Sequence, residues 1–231
     1  MTAGPLYDGL ILDFDGVLIE SEYAGNAQIA DYLTVKGHST TAEQSMTHFM
    51  GLSGPDFIAA IEAWIGRPLW EDFHEARHAE DQRVLAEGLE AVAGAVAFVE
   101  SLPPDFPRAV ASSSSTHWIE THLRHLGLLH RFEGRIFSGA EHVARGKPAP
   151  DLYLHAAKAM AVPIERVVIV EDSPVGVQGA LASGAEVIGL AAGTHCLPGH
   201  ADRLRALGVR RVASSFDEVA AMLGLRAGDR S

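Results

Sequence analysis

The chain has 231 residues, of which 47% are hydrophobic and 21% charged, so it is an ordinary globular protein with room for one large domain or a core plus a smaller insert. Its formal net charge of -12 argues against nucleic acid or an anionic membrane as a standing partner, because both require basic patches. Cys196 is the single cysteine, which excludes an intramolecular disulfide, and no stretch approaches the roughly 20 apolar residues of a membrane span. We therefore expect a soluble, cytoplasmic protein without a signal peptide.

The first predicted element is a short buried strand at residues 10–12, which ends in Asp13 and Asp15 and is followed by Gly16. Side chains alternate along an extended chain, so both carboxylates would lie on one side at the strand's carboxyl end, where open α/β sheets bind ligands. Two close carboxylates repel each other unless a cation or a proton lies between them. The pair therefore predicts a divalent-metal site or an acid/base couple, the alternative being a turn that only ends the strand.

Residues 19–89 read as helices only, because their apolar residues recur at helical spacing. Residues 41–44 have the composition of a helix start, and Pro55 stands at the first position of the next helix after a break. Pro68 is expected to open the last helix of this segment, which runs to about Glu87. We interpret the segment as a helical insert between the first strand and the remainder of the chain.

Strand and helix alternate from residue 108 onward, which predicts a parallel sheet with helices on both faces. The predicted strands are residues 108–111, 135–138, 167–170, 187–190 and 211–213. The predicted helices are residues 94–100, 116–126, 151–160 and 174–183. The fold class is therefore α/β, a Rossmann-like doubly wound and mostly parallel sheet with an inserted all-helical domain.

Polar residues follow several of these strands. Ser112 comes directly after a buried strand, and its hydroxyl suits a phosphoryl oxygen, whereas residues 113–115 are expected to cap the next helix. Lys147 is fixed between a strand and a helix that proline introduces. Glu171 and Asp172 end the most apolar strand, where ionised carboxylates are costly unless they meet a cation.

Four segments resemble, in order and spacing, the four motifs of the haloacid dehalogenase-like superfamily, whose members are mostly phosphatases. They are DFDGVL after the first strand, Ser112, GKPAPD around Lys147, and EDSPVG from Glu171. The resemblance implies a core of residues 1–18 and 90–231 and a helical cap domain of residues 19–89. The segment RIFSGAEHVARGKPAPDLYLHAAKAM is most similar to sugar-phosphate phosphatases, with 6-phosphogluconate phosphatases nearest.

The resemblance also implies a two-step phosphoryl transfer. Asp13 would attack phosphorus and form an aspartyl-phosphate, while Asp15 would protonate the leaving alcohol and then activate water. Ser112 and Lys147 would bind phosphoryl oxygens. The implied cofactor is Mg²⁺. Its ligands would be Asp13, the backbone carbonyl of Asp15, and Asp172, and Glu171 would be an outer partner or a ligand through water.

Three alternatives compete with a phosphatase of a small phosphorylated metabolite. A phosphomutase of the β-phosphoglucomutase type shares the motifs, but such enzymes usually carry a cap-hinge histidine where this chain has residues 23–25, YAG. A dehalogenase normally lacks the second acidic residue of the first motif, which is Asp15 here. A catalytically silent binding module is opposed by the complete set of motif residues. The expected oligomeric state is a monomer.

Substrate specificity is expected in the cap. Arg77 or Arg83, on its last predicted helix, could reach the part of the substrate remote from the phosphate. The loop that contains Gly51 and Ser53 could enter the site. Cys196 and the histidines near it could surround the active site, but one cysteine and two histidines do not favour a zinc centre.

Overall fold

The structure is a computed structural model that describes residues 7–50, 52 and 54–224. The chain divides into two compact units, one comprising Met1–Glu20 and Glu90–Ser231 and the other Ser21–Leu89. The first is called the α/β unit and the second the helical unit. Among the described residues, no helix is both long enough and apolar enough to cross a membrane.

A six-stranded sheet forms the centre of the α/β unit. Its strands are β1 (Gly9–Leu12), β2 (Arg108–Ser112), β3 (Ile136–Ser138), β4 (Val167–Glu171), β5 (Glu186–Leu190) and β6 (Arg211–Ala213). They lie in the order β3-β2-β1-β4-β5-β6, and every neighbouring pair is parallel. The order reverses beside β1, which is the switch point where open sheets bind ligands. The predicted α/β class is confirmed.

The strands lie where uninterrupted apolar runs in the sequence predicted them. Every residue of β1, β2 and β4 is buried, as expected for central strands covered on both faces. The register places Ile11 opposite Ala109 on one side and Ile169 on the other, and all three belong to one core cluster with residues of the flanking helices. This core holds the carboxyl ends of β1, β2 and β4 beside one another.

The helical unit consists of α1 (Ser21–Val35), α2 (Ala42–Phe49), α3 (Gly54–Ile65) and α4 (Phe73–Glu87). The predicted start of α2 is a capping box, in which the Thr41 hydroxyl accepts from Gln44 N and the Gln44 side chain accepts from Thr41 N. The prediction that Pro68 opens α4 is wrong. The segment before α4 instead packs Trp70 onto the core of this unit, and the helix begins at Phe73.

Six helices flank the sheet of the α/β unit: α5 (Ala95–Ser101), α6 (Thr116–His125), α7 (Asp151–Ala159), α8 (Pro174–Ser183), α9 (His200–Ala206) and α10 (Phe216–Leu223). The last two of these lie beyond the predicted helices. A signal for α10 was nevertheless present, because Ser215 caps its first turn and Gly224 ends it in the left-handed conformation, with φ of 76°.

Candidate active site

A tight turn after β1 brings the first acidic residues to the edge of the sheet. Asp13 N donates to the carbonyl oxygen of Val170 at 3.0 Å, which extends the pairing of β1 with β4 by one residue. Gly16 follows with φ of 78°, and a Cβ at this position would lie 2.3 Å from Asp172 Oδ2. Only glycine therefore lets the turn pass this close to the neighbouring carboxylate.

Lys147 lies between two buried carboxylates. Its Nζ is 2.6 Å from Asp13 Oδ1 and 2.9 Å from Glu171 Oε2, and all three side chains are at most 8% exposed. One oxygen from each of Asp13, Glu171 and Asp172 lies within 4.8 Å of the other two. Three buried carboxylates thus face two cationic partners, Lys147 and, beside Asp172, the His195 ring, so negative charge remains in excess, which is costly in a low-dielectric interior.

The pKa values of these groups reflect this imbalance. Burial raises the pKa of Asp13 well above its ordinary value, and the charge of Glu171 raises it further. Burial acts to lower the pKa of Lys147, but the charges of Asp13 and Glu171 outweigh it, so its pKa lies well above the usual range. Burial also raises the pKa of Asp172. The cluster therefore favours an added positive charge.

Protein donors occupy both oxygens of Glu171. Its Oε2 accepts from Lys147 and from the Tyr153 hydroxyl at 3.0 Å, and its Oε1 accepts from Ser173 N at 3.0 Å and Ser173 Oγ at 2.6 Å. A Cβ on Gly176 would lie 2.1 Å from Glu171 Cδ, so the first turn of α8 fits against this carboxylate only with glycine there. Glu171 is thus placed to hold Lys147 and the start of α8.

Asp172 offers one unoccupied oxygen. Its Oδ2 lies 2.8 Å from His195 Nε2, whereas its Oδ1 is buried and has no hydrogen-bond partner among the described residues. A buried oxygen without a donor is unfavourable unless a cation binds it. This free oxygen and the carboxylate of Asp13 close to it fit a hard divalent cation, which prefers oxygen ligands, and Glu171 adds negative charge beside them.

His195 is a partner of Asp172 that sequence reasoning did not assign. The side chain is 2% exposed, and burial acts to lower the pKa of His195, but the hydrogen bonds to Asp172 and Cys196 and the charges of these two groups together raise it to about 10. Cys196 Sγ lies 3.4 Å from His195 Nε2, and His200 Nε2 lies 2.8 Å from the carbonyl oxygen of Asp172. Both histidines therefore hold Asp172. The only signal in the sequence was their loop after β5, at the same edge of the sheet.

Different donors hold the Asp15 carboxylate. Its Oδ2 accepts from Ser112 Oγ at 3.0 Å and Ser114 Oγ at 2.7 Å, and its Oδ1 accepts from Trp118 Nε1 at 3.2 Å. Ser115 Oγ caps α6 by accepting from Trp118 N, as predicted. Ser114 was expected to do no more than cap α6, and instead it binds Asp15.

The structure brings the predicted residues of the α/β unit together at the carboxyl edge of the sheet: Asp13, Asp15, Ser112, Lys147, Glu171 and Asp172. The other predicted residues belong to the helical unit. Arg77 donates to Gln28 Oε1 at 2.7 Å, and Arg83 pairs with two glutamates of its own helix. Gly51 and Ser53 lie outside the described residues.

Known proteins resemble this chain over most of its length. A family model described as haloacid dehalogenase-like hydrolase matches residues 7–184. The 6-phosphogluconate phosphatase of Escherichia coli is 30% identical over 194 residues, which cover 83% of this chain and 86% of that protein. The fructose-1-phosphate phosphatase YqaB of Escherichia coli is 31% identical over 198 residues, which cover 79% of this chain and 95% of that protein. The crystal structure of a HAD family hydrolase from Deinococcus radiodurans, with bound phosphate and sodium, has a TM-score of 0.83 at 30% identity and covers 96% of this chain and 98% of that chain.

Proposed function

The chain belongs to the haloacid dehalogenase-like hydrolases and is a phosphatase, and we propose that it depends on Mg²⁺. Its proposed substrate is a small sugar phosphate, which it hydrolyses as a phosphomonoesterase through an aspartyl-phosphate intermediate. The observation that carries this proposal is the buried cluster in which Lys147 contacts Asp13 at 2.6 Å and one oxygen of Asp172 has no hydrogen-bond partner in the described part of the chain. The names of the relatives, a 6-phosphogluconate phosphatase and a fructose-1-phosphate phosphatase, support the substrate class.

Asp13 is the proposed nucleophile. Its carboxylate attacks phosphorus in line with the leaving oxygen, so a bond from Asp13 to phosphorus forms as the ester bond breaks. Lys147 lies 2.6 Å from Asp13 Oδ1 and so offsets the charge that would otherwise repel an approaching phosphate. The Ser112 hydroxyl, at the end of β2, donates to Asp15 Oδ2 in the free protein and would turn its one hydrogen to a phosphoryl oxygen when the substrate binds. When bound, Mg²⁺ would supply positive charge that offsets the repulsion between the Asp13 carboxylate and the phosphate.

Asp15 is the proposed general acid and base. It gives a proton to the leaving oxygen, which keeps the electron pair of the broken bond. It then takes a proton from the water that attacks the aspartyl-phosphate, which releases phosphate and restores Asp13. We assign the metal to Asp13, the backbone carbonyl of Asp15 and Oδ1 of Asp172, with Glu171 acting through Lys147 or through water.

The first test is metal removal. We expect the wild-type protein to release phosphate from sugar phosphates with Mg²⁺ and to stop when EDTA is added, because the excess carboxylate charge then repels the substrate. Mg²⁺ at about 100 times its Kd should also raise the free energy of unfolding by about 2.7 kcal/mol, which urea denaturation in the absence of substrate measures. Unchanged stability and unchanged turnover in EDTA would contradict the metal assignment.

The amount of free phosphate that is released also distinguishes a phosphatase from a phosphomutase. A phosphatase releases one phosphate for each sugar phosphate consumed, whereas a mutase returns an isomeric sugar phosphate. Comparing kcat/KM across phosphogluconate, hexose phosphates and hexitol phosphates would then identify the sugar.

We propose that the helical unit selects the substrate. A cavity of about 310 Å³ lies within this unit and is lined by polar and apolar side chains, the polar ones being those of Ser21, Glu22, Asn26 and Arg77. The guanidinium of Arg77, now bonded to Gln28, is suited to a carboxylate or hydroxyl of the sugar. Arg83, Gly51 and Ser53 remain further proposed specificity residues.

Replacing Arg77 by alanine should raise KM about tenfold with little change in kcat, because a hydrogen bond to a charged group far from the reacting atoms stabilises substrate and transition state alike. Arg83→Ala should raise KM less, since this guanidinium is paired with Glu80 and Glu87. Arg67→Ala, an exposed arginine of the same unit, is the matched control. Steady-state kinetics with the sugar phosphate that gives the highest kcat/KM measures both changes. An unchanged KM in both test variants would contradict the proposed role of Arg77 and Arg83 in binding the substrate.

A further inference from the structure

The carboxylate of Asp15 is held by donors of two different kinds. Two hydroxyl groups, those of Ser112 and Ser114, contact Oδ2, and one indole N–H, that of Trp118, contacts Oδ1. These partners lie 97, 99 and 103 residues further along the chain, so the fold and not the local sequence brings them to Asp15. Nothing in the family resemblance assigned a role to Trp118.

The two kinds of donor respond differently when Asp15 carries a proton. A serine hydroxyl rotates and can accept as well as donate, whereas an indole N–H can only donate. In a protonated carboxyl group, one oxygen bears the hydrogen and the other remains an acceptor. The oxygen that faces Trp118 is favoured as the one without the hydrogen, because the carbonyl oxygen of a carboxyl group is a stronger acceptor for the indole N–H than the hydroxyl oxygen is. The serines beside Oδ2 impose no such restriction.

We propose that Trp118 is a positioning residue that keeps Asp15 Oδ1 as an acceptor and thereby makes Oδ2 the oxygen that passes the proton to the leaving group. This inference rests on the proposed function, which assigns Asp15 as the acid and base. The proton moves from Oδ2 to the leaving oxygen as the ester bond breaks, and Oδ2 later regains one from the attacking water. Oδ2 is also the oxygen next to Ser112, the proposed phosphoryl ligand, so the proton is released beside the reacting group.

The surroundings of Trp118 hold its indole ring in place. The ring packs edge-on against His122, with centroids 4.3 Å apart and an interplanar angle of 70°. His122 is completely buried, and its ring nitrogens have no hydrogen-bond partner in the described part of the chain. Burial lowers the pKa of His122 to about 4, so the ring is neutral and does not compete with the indole for the charge of Asp15. At the backbone, Ser115 Oγ accepts from Trp118 N at 3.2 Å.

The test compares two aryl esters of similar shape that differ in their need for a proton. The nitrophenolate of p-nitrophenyl phosphate departs without one, whereas the more basic phenolate of phenyl phosphate requires an acid. We expect Trp118→Phe to lower the ratio of kcat/KM for phenyl phosphate to kcat/KM for p-nitrophenyl phosphate about tenfold, because it removes a hydrogen bond to the negative charge that develops on Asp15 as the proton leaves. Replacing Trp118 by its benzothiophene analogue, which keeps the ring and lacks the N–H, should lower this ratio equally.

The matched control is Trp64→Phe, which removes an indole donor that binds Thr40 Oγ1 at 3.1 Å in the helical unit and should leave the ratio unchanged. An unchanged ratio in both Trp118 replacements would overturn the inference, as would an equal loss for the two esters, and either result would leave the phosphatase proposal standing. A wild-type protein that releases phosphate with Mg²⁺ from neither ester and from no sugar phosphate would overturn the proposed function itself.

Discussion

Asp13→Asn should abolish phosphate release from every substrate, with kcat/KM falling by about 10⁴-fold or more, because an amide cannot form the aspartyl-phosphate. The substitution keeps the shape of the side chain, and the amide oxygen can still accept from Lys147, which lies 2.6 Å from Asp13 Oδ1. The loss of activity would therefore report lost nucleophilicity and not a collapsed site. Phosphate release in the presence of Mg²⁺ measures it, and mass spectrometry of acid-quenched wild-type enzyme should find a phosphoryl group on the peptide that contains Asp13.

The same variant should not be less stable than the wild type when metal is removed. Burial and the charge of Glu171 raise the pKa of Asp13, so its ionised form destabilises the folded state at neutral pH when no cation is bound. A neutral amide removes that cost. Asp8→Asn is the matched control, since Asp8 is an exposed carboxylate paired with Arg166, and it should retain full turnover. Retained turnover in Asp13→Asn would show that another residue attacks phosphorus.

The central strands were predictable because long apolar runs such as 167–170 have few alternatives to burial in a sheet. Asp13, Ser112 and Asp172 could be placed at one edge for the same reason, since each follows such a run. The start of α4 could not be predicted, because the packing of Trp70 overrides the tendency of proline to begin a helix.

The supporting residues of the site were harder to predict. Trp118 and His195 act through the direction of a single N–H toward a carboxylate. That direction depends on where a helix and a loop lie in the finished fold, and no spacing in the sequence encodes it. The four motifs located the carboxylates and the lysine of the candidate site, whereas the groups that orient them were visible only once the fold was known.

Lys147→Met should be the most destabilising of the substitutions considered, lowering the free energy of unfolding in EDTA by about 3–5 kcal/mol. Methionine has nearly the length of lysine but no charge, so Asp13 and Glu171 would remain buried without their common partner. Activity should fall by about 10³-fold or more as well, since the variant also loses the cation that faces the substrate phosphate. Urea denaturation and phosphate release measure the two effects, and Lys158→Met, at an exposed lysine of α7, is the control.

A second substitution separates the loss of stability from the loss of activity. Adding Glu171→Gln to Lys147→Met removes one of the orphaned charges. The amide oxygen, placed at the Oε1 position, can still accept from Ser173, and the amide NH2 can donate to the Tyr153 hydroxyl oxygen, whose hydrogen can bind the carbonyl oxygen of Gly176. Removing both partners of a buried ion pair costs much less than removing one, so the double variant should regain a large part of the lost stability. Its activity should stay low, because no ammonium faces the phosphate. If Lys147→Met unfolds at the same urea concentration as the wild type, the ammonium does not compensate the buried carboxylates, and the electrostatic basis of the proposed site is wrong.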